Sequence, residues 1–83
     1  MTMKLWLILY TAQGIGGTWG PLPYDMAECQ SRATERMTSV QTAISTGIGE
    51  NGDTLPPAVI EDIKTWRLAC EEHEERPKLA SEQ

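Results

Sequence analysis

The chain has no phenylalanine, a single histidine, two cysteines, and seven basic residues against twelve acidic ones. Each shortage excludes something. A net charge of −5 argues against binding nucleic acid directly, because neutralising phosphates needs a basic surface. The lone His73 sits in the run Glu71-Glu72-His73-Glu74-Glu75, where a solvated imidazole is a simpler account than a general base. No Ser-His-Asp set and no glycosidase-like carboxylate pair can be argued, so the chain reads as a protein that is not an enzyme and needs no cofactor. The longest apolar run, Leu5 to Tyr10 after Lys4, is far too short to span a bilayer, and no membrane association is expected. That run only faintly imitates a signal peptide, since Trp6 and Tyr10 interrupt it and no small-x-small cleavage site follows.

What is present fits one small domain. The chain has 83 residues, 40% of them hydrophobic, with three Trp, enough for a thin core and too apolar for disorder. The domain is expected to cover residues 1–78, with 79–83 as a frayed polar tail. Lys4 to Thr11 alternates Leu5, Leu7 and Leu9 with Trp6, Ile8 and Tyr10, so both faces of a central strand are apolar. Asp25 and Glu28 resemble a capping box, and Met26, Cys29, Ala33, Met37, Val40 and Ile44 form one helical stripe that Gly47 ends. From Gly47 to Pro57 the composition is that of a surface loop.

Residues 57–75 admit two readings. Val59, Ile63, Trp66, Cys70 and His73 share one face of a helix, whereas Trp66, Leu68 and Cys70 alternate as in a strand. A lone hairpin is marginal in water, which favours a helical turn near Ala58 to Asp62 and then a third strand from about Lys64 to Glu72. The expected fold class is therefore α+β, ββαβ, with a three-stranded antiparallel sheet ordered 2-1-3 and one long helix on one face.

The glycines Gly14, Gly16, Gly17 and Gly20 follow the first strand as a phosphate loop would. A dinucleotide loop leads directly into a helix, however, and here Pro21 and Pro23 intervene, with Trp19 at the third glycine position and no G-K-[ST]. A hairpin turn over Ala12 to Gly17, with a short return strand from Thr18, explains these residues with fewer assumptions.

Cys29 and Cys70 both point into the interface if helix and last strand pack together. A disulfide is the expectation; two free core thiols are the alternative, which a reducing cytosol favours. Cys70-Glu-Glu-His73 with Cys29 allows a metal reading only if this segment is helical, because on a strand residues 70 and 73 face opposite sides. No metal is therefore expected.

Charge is distributed unevenly. Residues 1–49 balance Lys4, Arg32 and Arg36 against Asp25, Glu28 and Glu35, so all the net negative charge follows residue 49. Glu50, Asp53, Glu61, Asp62, Glu71, Glu72, Glu74 and Glu75 are the candidate binding residues there, either as a solvated surface or as a patch for a basic groove. One helix covers only one face of the sheet, so Trp6, Ile8 and Tyr10 are expected to stay open, with Trp6 and Tyr10 as a second candidate binding surface.

The order of strand "KLWLILYT", turn "QGIGG", "GPLP", capped helix "DMAEC" and last segment "WRLAC" resembles very small phage-encoded ββαβ proteins with one helix-to-strand cysteine pair. Within them it is similar to the short acidic anti-CRISPR proteins, from phages of purple bacteria, that block type I-C interference. The resemblance implies a monomeric inhibitor in the host bacterial cytoplasm during infection. Its partners would be Cascade subunits of a type I CRISPR complex, whose basic DNA-binding groove it would occupy as a DNA mimic. The alternative is a small virion or assembly component that docks through the uncovered aromatic face.

Overall fold

The computed structural model describes residues 2–82. Three strands, β1 (Lys4–Thr11), β2 (Gly14–Trp19) and β3 (Arg67–His73), form one antiparallel sheet in the order β2-β1-β3. Between β2 and β3 in sequence come α1 (Met26–Thr46) and the short α2 (Pro57–Ile63), and a 3-10 turn at Ala80–Glu82 follows β3. This is the α+β order and sheet topology that the sequence predicts.

β1 takes the centre because both its faces are apolar and each needs cover. Leu7 stands opposite Trp19 on β2 and Cys70 on β3, and Leu9 stands opposite Gly17 and Leu68. Leu7 packs with Cys29 and Ala33 of α1, flanked by Leu5, Leu22, Tyr24, Leu68 and Cys70. The odd-numbered face of β1 is thus the one that the long helix covers.

α1 begins where the capping pattern places it. Asp25 accepts a hydrogen bond from the Glu28 amide at 2.9 Å, and Glu28 turns its carboxylate to Arg32 rather than back to the cap. Gly47 ends the helix at φ +72°, where its amide reaches the Ala43 carbonyl. Of the apolar stripe only Cys29 and Ala33 are buried; Met37, Val40 and Ile44 are half-covered. The sheet therefore seats the first turns of α1 firmly and the later ones loosely.

The ambiguous segment divides as helix and strand: Pro57 sits in the first turn of α2, Ile63 is buried, and β3 starts at Arg67. The loop of 47–57 is more ordered than its composition implies. Ile48 bridges to Thr54, and the Gly49 amide reaches the Asp53 carbonyl at 2.8 Å, making a miniature hairpin.

Three expectations are corrected. Gly14, Gly16 and Gly17 are not the turn but β2 itself, and the turn is only Ala12 and Gln13. The reason is steric: a Cβ on Gly16 would lie 2.8 Å from the Thr11 methyl, and one on Gly17 3.0 Å from the Trp19 ring. Small residues are what let this edge strand lie against its neighbours, with an irregular register between Leu9 and Tyr10.

Secondly, the face bearing Trp6, Ile8 and Tyr10 is not open: Trp6 is 6% exposed and Ile8 0%. Gly20 lies against the Trp6 ring, and the indole N–H donates to the His73 carbonyl at 3.0 Å. Thirdly, over the described residues 74–82 the chain after β3 is not a loose polar end; position 83 of the expected tail lies outside the described residues. Pro77, Leu79 and Ala80 are half-buried, Ala80 reaches Gly14 of β2, and Arg76 clasps Glu82 at 2.9 Å.

The approach of Gly20 to Trp6 generates a prediction. At Gly20, φ is +150°, and an added Cβ would lie 2.8 Å from the ring and 2.9 Å from the Leu5 carbonyl oxygen. Gly20→Ala should destabilise the protein by about 2 kcal/mol or more in urea unfolding. A loss under about 0.5 kcal/mol, the scatter of surface substitutions, would refute this packing.

Candidate functional site

The eight carboxylates singled out by charge do not form one patch. α1 runs antiparallel to β3: Cys29 near its start is joined to Cys70, while Met37, Val40 and Ala43 share a groove with Leu68, Trp66 and Ile63. Glu50 and Asp53, in the hairpin beyond α1, therefore lie toward the α2 end together with Glu61 and Asp62. Glu72, Glu74 and Glu75 lie at the opposite end of β3. The five steps from Arg67 to Glu72 alone span about 17 Å.

At the α2 end Glu61 and Asp62 are engaged locally. Glu61 pairs with Lys64 at 3.0 Å, and an Asp62 oxygen accepts from the Trp66 indole at 3.3 Å. These short-range contacts close α2 and turn the chain into β3. At the other end, Glu72, Glu74 and Glu75 are exposed and make no ion pair among the described residues. Glu72 emerges on the α1 side of β3, opposite Leu5.

Glu71 is a different case. It faces the far side of the sheet beside Trp6, its partner in register. There it accepts from the Tyr10 hydroxyl at 2.6 Å and stands 2.8 Å from His73 Nε2. A carboxylate only accepts, so Nε2 carries the proton in this contact. Arg67 lies 4.4 Å over the Tyr10 ring and completes the row. The Tyr10 hydrogen bond, then the one from His73, holds the Glu71 carboxyl below its ordinary value, outweighing partial burial that pushes the other way. The same bond, with burial, raises the Tyr10 hydroxyl. This carboxylate is tied up by the fold and is not free to meet a partner.

Tyr10 is likewise half-buried and engaged, and Trp6 is sealed, so the aromatic surface expected on this face does not exist. Exposed aromatic area lies elsewhere. Trp19 is 46% exposed and, with Met37, Val40 and Trp66, lines a shallow groove of about 390 Å³ that Arg36 and Glu50 border. From sequence, Trp19 and Trp66 are candidates to stand beside the Trp6 face; the structure places both on the groove at the α1 side instead, with Trp19 opposite Leu7.

Cys29 and Cys70 are bridged, with an S–S distance of 2.09 Å and Cα atoms 6.1 Å apart. Cys70 and His73 point to opposite faces of β3. Both sulfurs are taken by the bridge, so the Cys-Cys-His ligand set is not assembled. No group of three potential metal ligands converges among the described residues. No helix among them is long and apolar enough to cross a membrane.

Comparison with known protein families, with curated proteins and with solved structures found no match. The reading of function therefore rests on the residues themselves.

The Tyr10–Glu71–His73 row makes the acid limb of stability testable. Because the folded state holds Glu71 below its unfolded value, its contribution is full above the ordinary carboxylate range and is lost as pH falls through the folded value. Tyr10→Phe removes the largest cause, so the Glu71 carboxyl should titrate at higher pH and the acid-side loss of stability should shrink. Carbon-detected NMR titration of the Glu71 carboxyl reads this directly; an unmoved midpoint would contradict it.

Proposed function

We propose that this chain is a phage-encoded inhibitor that acts by binding: its carboxylates occupy basic sites that a host CRISPR surveillance complex uses for DNA phosphates. The observation that carries the reading is the end of β3, where Glu72, Glu74 and Glu75 project within four residues, exposed and without ion-pair partners among the described residues. Carboxylates and phosphates present the same kind of acceptor oxygens to Arg and Lys, so the first can stand in for the second. Glu72 is held by the sheet two residues from the bridged Cys70, which limits the ordering entropy that binding must overcome. Glu50, Asp53, Glu61 and Asp62 form a second, separate acidic region for the same kind of partner.

The resemblance in element order names the CRISPR complex as the partner, and the excess negative charge fits its DNA-binding groove. Action in the host cytoplasm sets the disulfide in a reducing medium, where such bridges seldom persist. Cys29 is fully buried, which shields one sulfur from a solution thiolate, while Cys70 is half-buried and lines the groove beside α1.

Replacing Glu72, Glu74 and Glu75 together by Gln removes charge while keeping size. The variant should remain folded and bind purified type I-C surveillance complex about tenfold or more weaker, with a correspondingly reduced salt dependence. Unchanged affinity and unchanged displacement of target DNA would overturn the acidic mechanism.

A further inference from the structure

β3 is an edge strand. β1 pairs with one side of it, and no backbone hydrogen bond among the described residues reaches the other. An open edge of this kind presents a row of donors and acceptors ready for another strand. α1 lies beside this edge. Ala33, Thr34, Met37 and Thr38 of the helix, with Leu68 and Cys70 of β3, line a groove of about 560 Å³.

The chemistry of the groove limits what fits it. Ala33, Met37 and Leu68 make it apolar, and the hydroxyls of Thr34 and Thr38 already donate to the carbonyls of Gln30 and Thr34. Of its lining side chains only Gln30 and Gln41 keep amides to offer, so the strand edge is the larger source of polar contacts. At the C-terminal end of β3 stand Glu72, Glu74 and Glu75. An occupant should be extended, apolar where it passes α1, and basic beside those acids. A second copy of a chain with net charge −5 meets long-range repulsion instead.

We infer that the outer edge of β3 takes an extended, basic-ended segment of a partner protein as a fourth strand, seated in the groove beside α1. Backbone pairing supplies affinity and the acids supply direction, the division seen in strand-addition recognition. The inference rests on the reading that the chain acts by binding a basic partner, and it specifies how one segment of that partner is held.

The test uses the peptide Lys-Arg-Lys-Val-Thr-Val-Thr, whose basic end meets the acids when it runs antiparallel to β3, and its reversed sequence for the parallel case. Each is made unmodified, N-methylated at both Val, and N-methylated at the two Thr, so that charge is constant while the donors of one edge or the other are removed. One orientation should perturb the NMR amide signals of residues 67–72 and of Thr34 and Thr38. One of its two methylated forms should bind about tenfold weaker or worse, as lost hydrogen bonds require. Equal binding of both methylated forms would mean attraction by charge alone and would overturn the inference. So would perturbation confined to other surfaces, no binding in either orientation, or protection of the β3 edge by self-association without peptide. The assay contains no surveillance complex, so its failure leaves the inhibitory reading to its own test.

Discussion

The bond between Cys29 and Cys70 is the constraint on which the rest of the structure depends. It joins the second turn of α1 to the middle of an edge strand across a sequence separation of 41 residues. In the chain-entropy account, a closed loop of that length is worth about 4 kcal/mol. A domain of this size has a total stability of roughly 4 to 12 kcal/mol, so one covalent link carries a large share. The need for it is visible in the core: among the described residues only Trp6, Leu7, Ile8, Cys29, Ala33 and Ile63 are buried apolar ones. Without the bridge, the half-covered stripe beyond Ala33 is a weak reason for α1 to stay on the sheet.

With the helix fixed at one end, the molecule separates into parts with different roles. The far side of the sheet is occupied by Gly20 against Trp6 and by the Tyr10–Glu71–His73 row, both of which satisfy the fold. What stays available is on the helix side and at the ends: the exposed Trp19, the grooves on either side of α1, and the acids after Glu71. A partner that reads this protein meets backbone edge and carboxylate more than aromatic surface.

Much of this arrangement can be read along the chain. β1 declares itself because two apolar faces alternate without interruption, and α1 because Asp25, the 3-4 stripe and Gly47 mark its start, face and stop. Residues 57–75 are harder, since the same residues satisfy both periods; what decides is that β1 needs a second neighbour, a property of the whole sheet rather than of the segment. The glycines mislead for a related reason. They are required by what lies beside them, Thr11 and the Trp19 ring, and such contacts leave no local signature. The closing of the Trp6 face is equally non-local, because it depends on Gly20 lying against the ring and on the indole reaching the His73 carbonyl at the far end of the chain. Among the acids, sequence showed the excess of charge but could not show that Glu71 is bound to Tyr10 while Glu72 is not, since that difference is set by strand register.

The central claim, that a single covalent link keeps the helix on the sheet, is tested most directly by amide hydrogen exchange on the oxidised protein and on the reduced, alkylated one. The account predicts that reduction removes protection along the whole of α1 and lowers it less in β3, which keeps its pairing with β1 over seven residues. If α1 keeps its protection after the bridge is opened, apolar packing alone holds the helix, and the claim is wrong.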